Sequence, residues 1–286
     1  MKLNNISKKY DSQEKNSLAL NNISISINQN KIIGLVGKNG SGKTTLLKIL
    51  AKHIFPTQGH IENLSEKNTS ISLSNDFEPI FSNFKLEHII KIASDCYCNF
   101  DEIYARKLLE KFNLNLNVKY MSLSKGQSGL FNFIIGLCSY AQLTLFDETF
   151  VSCDIPTRKL LLDEMLDSYI EHPRTIILSS HYIQEFENYL EEILIIDKGK
   201  IAFHTSRDEL DSKALRIIVP EKISARLYKN YNVLNSSCFG SQCDIKIYDE
   251  LSTEDRNYFK SHNCEISKLK LDELFIAITE EDLNHD

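Results

Sequence analysis

The chain has 286 residues, enough for one large domain and a small one. Hydrophobic residues make up 42% and charged residues 25%, an ordinary globular balance that argues against disorder. The formal net charge of −6 argues against a broad nucleic-acid-binding surface, which needs excess Lys and Arg to neutralise phosphates.

The N-terminal stretch MKLNNISKKY lacks the apolar segment of a secretory signal. The longest apolar runs, FIIGLC (133–138) and ILII (193–196), fall well short of the roughly 20 residues a membrane helix needs. Seven cysteines are scattered without a repeated spacing. CYC (96–98) and CFGSQC (238–243) have no second Cys or His pair at zinc-site spacing, so the expectation is free, reduced thiols with neither metal nor disulfide.

KIIGLV (31–36) is an apolar run of strand length, and TTLLKILAKH (44–53) has helical character. Between them lies Gly37-Lys38-Asn39-Gly40-Ser41-Gly42-Lys43-Thr44, which fits G-x-x-x-x-G-K-[ST] in its strand–loop–helix setting. Glycines let successive backbone N–H groups turn toward phosphate oxygens without a Cβ in the way. The helix that follows points its positive end at the same anion. Lys43 supplies a point charge for the β and γ phosphates, and the Thr44 hydroxyl is placed to ligate Mg²⁺.

Further along, FKLEHIIKIAS and FDEIYARKLLEKFNL carry apolar residues at helical spacing, and a third helix is expected from about Ser124 to Tyr140. QLTLFDETF then places a strand, Leu143 to Phe146, directly before Asp147 and Glu148. A buried parallel strand ending in carboxylates delivers them to the carboxyl edge of its sheet. Asp147 is the candidate to hold Mg²⁺, and Glu148 the candidate to orient or deprotonate an attacking water. Asp154 before IPTRKLLLDEML is a good N-cap with proline just inside the helix. TIILSSHYIQEFE is a strand, then His181, then a helix.

Leu123-Ser124-Lys125-Gly126-Gln127 resembles the LSGGQ signature of ABC ATPases, and it lies about twenty residues before the acidic pair, as in that family. On its own the stretch is a helix start with Ser124 as N-cap, and the signature is itself a helix tip whose positive end can meet a γ-phosphate. The resemblance covers about residues 1 to 210 and aligns further features in order. LNNISKKY and LALNNISISI look like the family's antiparallel opening. Tyr10, by itself a strand-edge tyrosine, stands where an aromatic stacks on adenine. Asp154 matches the D-loop aspartate and His181 the switch histidine that senses the γ-phosphate. The resemblance implies ATP bound by Tyr10 and by Gly37 through Thr45 (Lys38, Asn39, Gly40, Ser41, Gly42, Lys43, Thr44 and Thr45), and Mg²⁺ held by Thr44 and Asp147. It implies catalysis by Glu148, His181 and Lys43, and a signature of Ser124, Lys125, Gly126 and Gln127 that serves the nucleotide of a second copy.

The sequence departs from the family at four points, one being that the basic residues usual just after the signature are absent, where SGLFNFIIG (128–136) stands. The Q-loop glutamine is missing, and Asn75 or Asp76 stands nearest its place. Lys125 replaces a signature glycine, and Thr149 replaces the proline after the acidic pair. These forms are similar to the bacterial branch paired with exporter permeases. Lys43, Thr44, Asp147, Glu148 and His181 are all retained.

Beyond DKGKIAFHTSRDEL (197–210) the elements follow the order β-α-β-β-α-β, the split ferredoxin-like arrangement, and a last helix carries Leu271, Leu274, Phe275 and Ile278 on one face. That segment is either a regulatory or dimer-supporting domain or a small packing appendage. The expected fold is therefore α/β: an ABC-type P-loop NTPase over residues 1–212, with a mixed core sheet, an antiparallel β subdomain and a helical insert at about 83–140, followed by an α+β accessory domain over 213–286. The resemblance implies an ATP-hydrolysing subunit, peripheral on the cytoplasmic face of the membrane, that works as a homodimer or heterodimer and powers a permease exporting a peptide, drug or lipid-like cargo, with no nucleic-acid partner. The rival readings are a soluble, non-transport ABC ATPase and a binding-only regulatory or immunity subunit.

Overall fold

A computed structural model describes residues 1–10, 18–63, 70–75, 81–150, 152–181, 184 and 186–279. The chain divides into two compact units, residues 1–190 with 196–201, and residues 191–195 with 202–286. The division falls inside the strands β8 (Glu192–Asp197) and β9 (Lys200–Ser206).

In the first unit, β1 (Lys2–Lys9) pairs antiparallel with β2 (Leu18–Ser26) on one side and with β4 (Gln58–Glu62) on the other. Leu3, Ile6, Leu20 and Ile23 from this small sheet are buried. The strands β3 (Ile32–Val36), β5 (Ile71–Ser74), β6 (Leu143–Asp147) and β7 (Thr175–Ser180) run parallel in the order β5–β6–β7–β3. Every residue of β3 and β7 is buried, which is why both lack the polar–apolar alternation of a half-exposed strand. Register puts Val36 beside Ser180, and Asp147 beside Ser179. The carboxyl ends of β3, β6 and β7 therefore share one edge, and the loop after each of them opens there.

Helix α1 (Lys43–Leu50) follows the glycine loop, and α5 (Ile155–Glu171) follows the acidic loop. The stretch expected to be helical between them carries α2 (Leu86–Cys96), α3 (Glu102–Lys111) and α4 (Lys125–Cys138). From Gly129 to Cys138, α4 is buried on all sides, as a helix apolar all round should be. Its Phe133 stacks on Phe146 of β6, centroids 4.3 Å apart.

Two helix ends differ from expectation. The helix placed at 44–53 stops at Leu50, and the one placed to Tyr140 stops at Cys138. Just past these ends Lys52 (φ 60°) and Tyr140 (φ 45°) adopt left-handed conformations. Glycine or asparagine usually marks such a stop, so Lys and Tyr there give no sequence signal. The helix expected after His181 falls partly on residues 182, 183 and 185, outside the described residues. The next regular piece is a single 3₁₀ turn, Glu187–Tyr189.

In the second unit, α6 (Arg207–Lys213) leads into β10 (Ala214–Pro220), α7 (Glu221–Asn230), β11 (Val233–Phe239), β12 (Gln242–Tyr248), α8 (Thr253–Ser261) and β13 (Glu265–Lys268). The sheet order is β11–β12–β10–β13, antiparallel at every pair, which is the split β-α-β topology expected from the element order. Leu215, Ile217, Val219, Leu227, Ile245, Ile247 and Phe259 form its core. The closing helix α9 (Leu271–Thr279) buries Leu271, Leu274 and Ala277, while Phe275 and Ile278 are half-buried.

The thiol expectation needs correction. Cys238 and Cys243 form a disulfide, while Cys96, Cys98, Cys138, Cys153 and Cys264 are free. The cause is register: the β11–β12 hairpin sets Cys238 directly opposite Cys243. Metal-site spacing carries no information on cross-strand pairs, so the bond has no mark in the cysteine spacing. Among the described residues no helix is long and apolar enough to cross a membrane.

Asp255, almost fully buried, anchors α7 to α8. It accepts a hydrogen bond from Tyr231 Oη at 2.5 Å and another from Arg226 Nε. Burial pushes its carboxyl up, but these donors outweigh burial and hold it below the usual carboxylate range. A depressed carboxyl stabilises the fold above its unfolded value, about 3.9, and that contribution is lost as pH falls through the folded value. Asp255→Asn is expected to destabilise the chain by about 1–3 kcal/mol at pH 7 and to flatten the acid side of its melting-temperature profile. Calorimetric scans from pH 7 downward check both.

Candidate functional site

Chain reversal between a buried strand and a buried helix forces the loop after β3 into unusual backbone. Gly42, the N-cap of α1, has φ 111°, and a Cβ there would lie 2.6 Å from the Ala19 carbonyl. Only glycine fits that position. Lys38, Asn39 and Gly40 are exposed at the tip, and Ser41 is buried with its Oγ lacking a hydrogen-bond partner. Lys43 is also buried; its Nζ donates to the carbonyls of Gly37 (2.8 Å) and Lys38 (3.1 Å), so the ammonium curls into the mouth of its own loop. Burial pushes the Lys43 ammonium below its ordinary value, and Glu148 and Asp147 push back. Thr44 is exposed in the first turn of α1, and Thr45 Oγ1 lies 3.4 Å from the Tyr10 hydroxyl. Tyr10, 44% exposed just past β1, thus reaches the glycine loop's helix.

The second strand end brings the carboxylates. Asp147 accepts a hydrogen bond from Ser179 Oγ at 2.6 Å, which ties β6 to β7. Glu148 leaves the strand with φ 54°, a left-handed conformation that is uncommon for a non-glycine residue and costs of order 1–3 kcal/mol. That turn aims its carboxylate back over the sheet edge. Oε1 lies 3.6 Å from Lys43 Nζ and 3.2 Å from His181 Nδ1. Residues 43, 148 and 181, distant in sequence, therefore converge on one carboxylate oxygen.

The third part is the tip of α4. Ser124 is the N-cap, its Oγ accepting from Gln127 N, while the Gln127 side chain accepts from Ser124 N. This reciprocal capping box explains the spacing of the two residues. Ser124, Lys125 and Gln127 are exposed, so the tip faces away from the chain's own core. Gly126 and Gly129 turn inward: a Cβ on Gly126 would lie 2.7 Å from the Ser152 carbonyl, and one on Gly129 2.1 Å from that of Thr149. Asp154 caps α5 by accepting from Thr157 N (3.0 Å) and Thr157 Oγ1 (2.9 Å), bonds that hold its carboxyl below the usual range.

Of the two residues nearest the missing glutamine, Asp76 lies outside the described residues. Asn75 follows β5, and its carbonyl accepts from the Asn132 side chain of α4 at 2.7 Å. Asn132, Ser179 and Arg158 were not singled out from sequence. Only Asn132, a lone polar residue in an apolar helix stretch, gave a signal that could have found it.

The residues present fit a polyphosphate and one divalent cation. The loop is shaped as a cradle that a Cβ at Gly42 would break, and an orphaned buried hydroxyl, Ser41 Oγ, lies in it. No group of three or more His, Cys, Asp or Glu that could hold a metal occurs among the described residues. Mg²⁺ at nucleotide sites takes one or two protein oxygens plus phosphates and water, and Thr44 with Asp147 supplies that donor set.

Residues 20–151 match the family model described as "ABC transporter". Among curated proteins, the ABC transporter ATP-binding protein YtrB of Bacillus subtilis is 25% identical over 224 residues, covering 76% of this chain and 75% of its own length. Among solved structures, a putative cobalt transport ATP-binding protein aligns with TM-score 0.64 at 19% identity, covering 90% of this chain and 98% of its own. A dimeric bacterial ABC transporter cassette aligns with TM-score 0.60 at 21% identity over 72% of this chain and 97% of its own.

The close approach of α4 to the acidic loop is directly testable. Gly129→Ala sets a methyl against backbone at Thr149, which cannot rotate away. A loss of about 1–3 kcal/mol is expected, read as a lower melting temperature of the nucleotide-free chain.

Proposed function

We propose that this chain carries the ATP-binding domain of an ABC transporter, with an ATP-hydrolysing P-loop fold, and is the subunit that powers an export permease, peripheral on the cytoplasmic face of the membrane. The observation that carries the reading is the convergence of Lys43, Glu148 and His181, with Asp147 beside them on the same sheet edge. A buried ammonium already surrounded by carbonyls and a carboxylate is poised to exchange those weak partners for phosphate oxygens.

In this reading the backbone N–H groups of residues 37–45 and the positive end of α1 cradle the triphosphate, while Tyr10 stacks on the adenine. Lys43 turns from the carbonyls of Gly37 and Lys38 to the β and γ phosphates. Thr44 and Asp147 would hold Mg²⁺, which would supply charge neutralisation at the phosphates. Once phosphate occupies Lys43, the Glu148 carboxylate is free to orient the attacking water. His181 holds that carboxylate from the other side and meets the γ-phosphate. Ser124, Lys125, Gly126 and Gln127 of a second copy close over the nucleotide, and Asp154 lies at the same joint. The exposure of the α4 tip supports this, because a residue serving its own core would be buried.

The catalytic domain spans residues 1–212 in this account, with 213–286 as an accessory α+β domain. Export is favoured by the signature lysine and by the absence of the Q-loop glutamine, whose place falls to Asn75 or Asp76. A relative named as a putative export ATP-binding/permease protein of Rickettsia felis, 30% identical over 72% of this chain and 38% of its own length, supports the same direction.

Glu148→Gln is the test. The variant is expected to bind ATP with near-wild-type affinity, to dimerise in ATP, and to lose at least about 100-fold in turnover, the size of loss expected when a general base and the orientation it provides are removed. Phosphate-release assays and size-exclusion chromatography measure both. Turnover equal to wild type would refute the role of Glu148. Lys43→Ala is expected to abolish ATP binding, read with a fluorescent nucleotide.

A further inference from the structure

We propose that Arg158 is a positioning residue that holds the acidic loop at Phe150 and Cys153, between Glu148 and Asp154, and so sets the rate of ATP hydrolysis without touching the nucleotide. The proposal rests on the hydrolytic reading above and deepens it.

Arg158 is only 7% exposed, in the first turn of α5. That is an unfavourable place for a cation. Burial strips its hydration, and a helix N-terminus carries positive potential of its own. Its partners on the acidic loop are backbone carbonyls: Nε donates to Phe150 O at 3.2 Å and Nη2 to Cys153 O at 2.9 Å. The Cys153 N–H also donates to Phe150 O, at 3.1 Å, so the guanidinium grips carbonyls at two points that are already tied to each other. A planar fork can do this with two donors at once; a lysine ammonium holds one carbonyl well and reaches the other poorly.

The opposite face of the same loop is clamped by α4. Gly129 admits the Thr149 carbonyl, Gly126 admits that of Ser152, and Cys153 Sγ donates to Gly126 O at 3.6 Å. Phe150 is locked edge-on between Phe133 and Phe186. The loop is thus held from two sides, and at its ends stand Glu148, in a left-handed conformation, and Asp154. A strained residue keeps its conformation only while its surroundings over-determine it. Arg158 is one polar part of those surroundings, beside the Cys153 thiol on Gly126 and the Lys43 and His181 contacts to Glu148. Stability alone does not account for it, because the cost of burying the charge offsets much of what its hydrogen bonds return. What the guanidinium adds is a fixed loop shape, and a displacement of about 1 Å at a reacting group can cost 10²-fold in rate.

The test uses the purified full-length chain and two variants, Arg158→Met, which fills the space without donors, and Arg158→Lys. Arg158→Met is expected to melt somewhat lower, because the Cys153 carbonyl loses its donor, yet to stay folded at the assay temperature and to bind fluorescent ATP within about twofold. Its kcat is expected to fall by about 10- to 100-fold, with Arg158→Lys between the two. A merely structural role would move the melting temperature alone and leave kcat unchanged below it. Wild-type kcat in Arg158→Met overturns the proposal, as does a rate loss matched by an equal loss of ATP affinity. If Arg158→Met does not fold, the same division between kcat and affinity is read on Arg158→Lys. A wild-type chain without turnover overturns the hydrolytic reading and this proposal together; a wild-type chain that turns over beside an equally fast Arg158→Met overturns this proposal alone.

Discussion

The contact between the Lys43 ammonium and the Glu148 carboxylate, 3.6 Å apart at the edge of a buried parallel sheet, is the constraint around which the first unit is built. A buried cation needs partners, and here they are two loop carbonyls and one carboxylate. Only the alignment of the ends of β3 and β6, with β7 between them, brings those groups together. Each element of the site can be traced to that alignment: the glycine that lets the loop reverse, the left-handed turn that sends Glu148 back over the edge, and His181 at the end of the middle strand. The arrangement is also unfinished, because all three charged or titratable groups converge where a triphosphate would take over the lysine.

Much of this was legible in the residues. Gly42, Lys43 and Thr44 stand out because a glycine-rich turn lets backbone N–H groups approach an anion closely, and the strand and helix on either side follow from apolar runs. The Asp147–Glu148 pair was placed by the rule that a buried strand ends at the carboxyl edge. The order β-α-β-β-α-β in the last seventy residues came from alternating periodicity, and the sheet order β11–β12–β10–β13 agrees with it. In contrast, the helix ends at Leu50 and Cys138 were illegible, because left-handed backbone at Lys52 and Tyr140, two residues on, has no compositional mark. The Cys238–Cys243 bond was missed because it depends on hairpin register rather than on spacing alone. Arg158 was invisible for a related reason. An arginine early in a helix is ordinarily a solvated surface residue, and only packing shows that this one is buried against carbonyls.

The signature helix shows how one segment serves two demands. Locally, Ser124 and Gln127 satisfy each other's backbone donors, a requirement any helix start must meet. Globally, the inward glycines of the same turn let α4 press on the acidic loop, while the outward face of the turn is left exposed. A helix tip that is rigid, positively polarised and uncovered suits the capture of an anion bound elsewhere. The replacement of a glycine by Lys125 adds formal charge to that exposed tip.

Whether that anion sits on another copy is the central claim, and mixed dimers test it most directly. One preparation carries Lys43→Ala, which breaks the phosphate cradle, and the other carries Ser124→Arg, which blocks the helix tip. Each alone is expected to be inactive. If cradle and tip come from different copies, mixing the two builds dimers with one intact site, and ATP hydrolysis should return to roughly a quarter of wild type, from random pairing of two-fold dimers. A mixture as inactive as its components would contradict the account.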